Sequence, residues 1–200
     1  MGGASFQLAA ADLQQARKEF ISGNYTNCVR LAEQAITAND PDEDWRLLLA
    51  NSLMTLGRYT NAQAVITTNL SRYYTSIRTR LLGHDVFLQN GQTNRAREML
   101  EEINQLAGNR AWAYRDPPNL LVLGRAVLLL GADPKLVLEK VFDPAKKADP
   151  GNRDVYLATG ELALGKHDYQ LAAKSFQEGL KNFPDDPDLL FGLPKSFSTS

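Results

Sequence analysis

The chain has 200 residues, a formal net charge of −1 and 44% hydrophobic residues, which suits one ordinary domain with a sizeable core or a short repeat array. Lys and Arg are scattered with no basic run, so neither duplex nucleic acid nor an anionic membrane surface is an expected partner. One cysteine excludes an internal disulfide, and the longest apolar run, 126–130, is far short of the roughly 20 residues that span a bilayer.

The chain opens on Met1-Gly2-Gly3 and mixed polar sequence, without the basic end and apolar core of a signal peptide. Phe6 stands where a myristoylation signal has Ser or Thr. This reads as a cloned start; compartment stays undetermined, and a removed leader and export are compatible with it.

Self-similarity is then visible along the chain. Gly23, Gly57 and Gly91 are 34 apart; Gly131 follows after 40 and His167 after 36. Each marks a turn between two amphipathic helical patterns, glycine tolerating the positive φ that ends a helix. Ten residues before the turns stand Leu13, Leu47, Leu81, Leu121 and Leu157; seven before stand Ala16, Ala50, His84, Gly124 and Gly160; three before stand Phe20, Met54, Leu88, Leu128 and Leu164. Five after stand Cys28, Ala62, Ala96, Leu136 and Ala172. Small residues on both helices let the two axes approach closely, and the large residues on either side fill the space.

In chain order the pattern predicts helix pairs over 7–39, 42–72 and 75–107, an inserted loop over 108–119 rich in turn formers yet carrying Trp112 and Tyr114, then pairs over 120–150 and 153–184. The fourth pair is irregular: Leu136 fills the small-residue column, and Pro144 predicts a kink or break in the second helix. Residues 185–200 begin a further helical pattern and read as its truncated start, so the expectation is a single array forming part of a longer protein.

The period, the small residue before the turn, Gly-Asn-Tyr, Gly-Arg-Tyr or His-Asp-Tyr at the turn, and Pro184 at the end together resemble the tetratricopeptide repeat. The segment with Tyr156, Gly160, Asp168, Tyr169, Ala172, Phe176 and Pro184 carries the resemblance best, and five repeats cover roughly residues 8–184. The resemblance implies an all-α solenoid of antiparallel helix pairs in a right-handed superhelix, with each first helix lining a concave groove. It also implies a non-catalytic scaffold that binds a protein or extended peptide there.

Two other readings stand beside that one. The chain is an accessory domain of an enzyme whose catalytic part lies beyond Ser200, as in large bacterial exported proteins that pair such repeats with a peptidase-like domain. Or it is a self-association module, a homodimer through an end face.

No catalytic or metal-binding constellation is legible. The two histidines lack ligand spacing, Gly165-Lys166 lacks the preceding glycines of a phosphate loop, and Glu101-Glu102 reads as a solvated helix face. Cys28 sits in a small-residue column and reads as a buried apolar group. No cofactor is expected. The residues six before each turn, Arg17, Asn51, Asp85, Arg125 and Glu161, are polar in all five repeats and form a candidate ladder of groove contacts, with Leu121, Leu128 and Phe20 as apolar contacts beside it. The bland alternative pairs neighbouring rungs with one another, Asp85 with Arg125 for example. His84, Trp112 and Tyr114 are secondary candidates, each with a packing explanation of its own. Family members that grip the C-terminal carboxylate of chaperone tails use a basic residue where this chain has only leucine, so binding of a peptide ending Glu-Glu-Val-Asp is not expected.

Overall fold

The computed structural model describes residues 12–197, and the predicted start of the first repeat at Gln7 lies outside them. The contacts divide the chain into two compact units, one through Tyr74 and one from Thr75 onward. The first contains α1 (Leu13–Ile21), α2 (Tyr25–Thr37), α3 (Glu43–Thr55) and α4 (Tyr59–Arg72). The second contains α5 (Ile77–Gln89), α6 (Thr93–Asn109), a 3-10 turn (Ala111–Tyr114), α7 (Pro117–Leu129) and α8 (Pro134–Val137). A π turn (Leu138–Phe142) then leads into α9 (Asp143–Ala148), α10 (Arg153–Gly165), α11 (Tyr169–Asn182) and α12 (Pro187–Lys195). The fold is all-α. Within each unit a first helix packs on the second helix of its own pair and on the first helix of the next: α1 on α2 and α3, α5 on α6 and α7, α10 on α11 and α12.

The turns explain the glycine period. Gly23, Gly57, Gly91 and Gly131 have φ of 81°, 71°, 73° and 92°, and His167 takes the same left-handed place at φ 60°. The next residue's N–H reaches back five residues in every case: Asn24 to the Glu19 carbonyl, Arg58 to Leu53, Gln92 to Phe87, Ala132 to Val127, Asp168 to Ala163. This is the closing bond of a Schellman C-cap. In four of the five turns the residue that closes the cap is also the N-cap of the next helix; in the turn after α7 it is Ala132, and Asp133 caps instead, accepting from the N–H groups of Lys135 and Leu136.

That extra turn residue corrects the fourth repeat. Counting from Gly131 puts Leu136 in the small-residue column, but Leu136 is exposed and Val137 is buried in its stead. A second extra residue follows inside the helix. Val137 and Phe142 are five apart, whereas their counterparts Ala172 and Phe176 are four apart. The π turn absorbs the difference: Asp143 donates its N–H to the carbonyl of Leu138, five residues back. The predicted break at Pro144 is therefore a widened turn just before it. Pro144 follows just after the π turn, and the backbone of Phe142 and Asp143 before it stays helical.

The π turn restores the seam between helices. Phe142 meets Gly124 as Phe176 meets Gly160, and in each case a Cβ on the glycine would collide with the ring. Leu121, Val137, Phe142, Ala145, Val155 and Ala158 form one core cluster around it; Tyr156, Ala163, Ala172, Phe176 and Leu189 form the next.

The segment 108–119 is less of a loop than predicted. α6 runs on to Asn109, Ala111–Tyr114 is a 3-10 turn, and α7 opens at Pro117 with Asp116 as its N-cap, accepting from Asn119 N–H at 3.1 Å. An aspartate followed by prolines at the first helical positions is a strong start signal, which places the helix start three residues before Leu120.

Candidate functional site

The ladder residues occupy the solvent side of the first helices. In the first unit, Arg17 pairs with Asp44, Asn51 is exposed, and Phe20 is half-buried with its ring edge-on to Tyr25, centroids 5.3 Å apart. In the second unit, Arg125 Nη2 lies 3.3 Å from Glu161 Oε2, joining α7 to α10, with both side chains substantially exposed at 38% and 55%. Asp85 is exposed and takes His84 Nδ1 at 2.8 Å. The bland alternative's pairing of neighbouring rungs is seen for Arg125 with Glu161, while Asp85 takes His84 rather than Arg125.

Two of the remaining candidates change place. Leu121 is 5% exposed and belongs to the core around Phe142, so it is no surface contact. A residue on the correct face of a helix is still covered when the next helix crosses at its level, and here Val137, Phe142 and Val155 do so. Leu128 stays half-exposed and, with Ala132, Pro134, Leu162 and Lys166, lines a shallow open depression at the turn end of the fourth and fifth pairs. The aromatic pair splits: Tyr114 is buried and donates its hydroxyl to the Thr75 carbonyl at 2.8 Å, while Trp112 is 73% exposed.

His84 is a packed residue, 8% exposed. His167 is exposed and its Nδ1 lies 2.8 Å from the Tyr169 hydroxyl. Cys28 is fully buried, and burial pushes its thiol pKa up. A thiol so placed is a poor nucleophile. Among the described residues, no group of His, Cys, Asp and Glu is arranged to hold a metal ion, and no helix is long and apolar enough to cross a membrane.

One column escaped the sequence reading. Eleven residues before the turns, Arg46, Arg80 and Tyr156 are all buried and all donate to carbonyls of the linker that precedes their helix. Arg46 Nη1 reaches Asp40 O at 3.2 Å, Arg80 Nη1 reaches Ser76 O at 2.8 Å, and Tyr156 Oη reaches Pro150 O at 2.7 Å. Each ties its helix to the linker that leads into it. Two arginines recurring at one place in an apolar stripe were the available signal.

A family model for the tetratricopeptide repeat matches residues 139–193. Among solved structures, a thermophilic tetratricopeptide-repeat protein of Thermus thermophilus is similar with a TM-score of 0.66 at 18% identity, over 92% of this chain and 96% of that one. Residues 139–193 thus match the tetratricopeptide repeat, and the fold is that of an all-α tetratricopeptide-repeat solenoid. The likeness to the Thermus protein is one of fold. A repeat protein of Parabacteroides merdae (TM-score 0.49, 16% identity, 92% of this chain and 70% of that one) and MamA of Desulfovibrio magneticus (TM-score 0.43, 18% identity, 90% and 99%) are more distant likenesses. No protein of curated function matches. The matched stretch runs from the π turn into α12, the part of the second unit where glycine–phenylalanine contacts define the helix seams.

Proposed function

We propose that this repeat protein is a non-catalytic scaffold that holds an extended peptide or protein segment against its first helices. Tetratricopeptide repeats are protein-interaction modules as a family, and the match over residues 139–193 and the fold support that much of the reading. The finer reading rests on the ladder. Arg17, Asn51, Asp85, Arg125 and Glu161 each follow directly on the small-residue column, whose own side chains are buried, yet each keeps solvent access. The observation that carries the reading is that all five rungs keep solvent access beside a buried column; the Arg125–Glu161 pair is the neighbour pairing of the bland alternative, yet both its partners stay open to solvent. Exposed pairs of this kind add only about 0–1 kcal/mol to stability, so folding alone gives little reason for it. Guanidinium and carboxylate in this arrangement can instead address the alternating donors and acceptors of an extended backbone, with Leu128 and Phe20 offering apolar surface nearby.

The test is a selection of displayed random peptides on the wild-type chain, followed by binding of the winners to a variant with Arg17, Asp85 and Arg125 all changed to Ala. Binding should fall by roughly tenfold or more with little change in melting temperature. Peptides that bind the triple variant undiminished would move the binding surface away from the ladder.

A further inference from the structure

From a separate observation we infer that the 3-10 turn Ala111–Tyr114 is a second docking surface, which receives an acidic segment of a partner protein carrying an apolar side chain. The turn is a mount for Trp112. At its foot Tyr114 enters the cluster of Ile77, Leu100, Ile103 and Ala126 and hydrogen-bonds the Thr75 carbonyl. The backbone is tied on the near side, Arg110 N–H to Leu106 O at 3.0 Å and Ala113 N–H to Arg110 O at 2.9 Å, and on the far side Asp116 caps α7. Trp112 nevertheless stands 73% exposed on this fixed base. A large aromatic on a rigid support gives contact area at low ordering cost, the property of interface anchors.

Charge then selects the partner. Arg110 and Arg115 flank the tryptophan, both are exposed, and neither is paired with a carboxylate among the described residues. In the same unit Arg80, Arg95, Arg97, Arg125 and Arg153 are each ion-paired. Arg110 and Arg115 stand at the two ends of the turn that carries Trp112. The local carboxylate, Asp116, is occupied by the Asn119 N–H and by Asn119 Nδ2 at 2.7 Å. Two exposed guanidinium forks at the ends of a turn that presents an indole suit carboxylates spaced around an apolar group. A single-stranded nucleic acid would also offer anions and a stacking face, but it needs a basic track along several nucleotides. Here two arginines stand alone on a chain of net charge −1.

The experiment uses the full chain and Trp112 as its own probe, since Trp45 is 1% exposed and shielded from quenchers. Iodide should quench the emission more strongly than caesium. A synthetic peptide of glutamates around one leucine should protect it, and the glutamine version of that peptide should not. Added salt should weaken the protection. Changing Arg110 and Arg115 together to Gln should weaken the glutamate peptide by roughly tenfold at unchanged melting temperature, and Trp112→Ala should do the same in a labelled-peptide assay. The triple Ala variant of the ladder should bind this peptide like the wild type. The inference is overturned if the glutamate peptide does not bind, if the glutamine peptide binds equally, if the Arg110/Arg115 variant is undiminished, or if oligothymidylate binds more tightly than the peptide.

Discussion

Replacing Gly160 by alanine sets a local gain against a packing loss, and the structure decides the sign. Glycine inside a helix is worse than alanine by up to about 1 kcal/mol, so propensity alone favours the change. The new Cβ, however, would fall within 3.0 Å of three ring atoms of Phe176. That ring is 1% exposed and also lies so close to Gly192 of α12 that a Cβ there would collide with it, which leaves the ring little room to retreat. Overpacking of this kind costs about 1–3 kcal/mol, and a clamped ring puts it at the upper end. The net expectation is a loss of about 2 kcal/mol, which for a chain of this length lowers the melting temperature by roughly 4–8 °C. Gly165→Ala in the same helix is the control. Nothing lies within 4 Å of its Cβ, so it should stabilise by up to about 1 kcal/mol. Thermal melts followed by circular dichroism give the shift, and amide exchange along α10 locates it. Adding Phe176→Leu to Gly160→Ala should cost less than the sum of the two single changes, by about 1 kcal/mol or more. A Gly160→Ala protein as stable as wild type, or a double variant that is simply additive, would refute the clamped-ring argument.

Two other outcomes follow from buried groups. Arg153 pairs with Asp186, whose side chain is 4% exposed and also caps α12 through the N–H groups of Asp188 and Leu189. Burial works against the guanidinium charge, but the hydrogen bond and charge of Asp186, with Asp154 and Asp188, more than offset it and hold the pKa above its ordinary value. Arg153→Ala strands that carboxylate and should cost about 3 kcal/mol, with amide protection lost first in α12. Cys28→Ala should be nearly neutral at pH 7, because both residues are small and apolar. Its burial-raised thiol pKa makes the contribution of Cys28 to stability full below the unfolded-state value of about 8.5 and lost as pH rises above it. Urea midpoints should therefore fall more steeply above that pH for the wild type than for Cys28→Ala; parallel curves would contradict it.

The turns were legible because a left-handed residue at a helix end is a chemical requirement, and glycine meets it four times out of five. The small-residue columns were legible for the same kind of reason: Ala16, Ala50, Gly124 and Gly160 are buried where helices touch. The fourth repeat was misread because counting began at Gly131. Asp133-Pro134, a cap followed by the residue best suited to a first helical position, marks the helix start directly and would have placed Val137 correctly. Asp116-Pro117-Pro118 carried the same signal for α7. For Leu121 periodicity gives the face of the helix but not the height at which a neighbour crosses, and only packing against Val137, Phe142 and Val155 settles its burial. The contrast between Trp112 and Tyr114 lay beyond sequence reasoning, since it depends on a tether to Thr75 that is 39 residues away.

The π turn at Leu138–Phe142 bears on how such a chain tolerates change in length. A residue gained within a packed helix ordinarily rotates everything after it by about 100° and turns its buried side outward. Here the surplus is used up inside five residues, and Phe142 and Ala145 face the core as Phe176 and Gly179 do one repeat later. Errors of copying that add a single codon can thus be quarantined in one loop of backbone, leaving neighbouring repeats in frame. An array built this way can lengthen or shorten individual members over evolutionary time while each inherited seam stays closed.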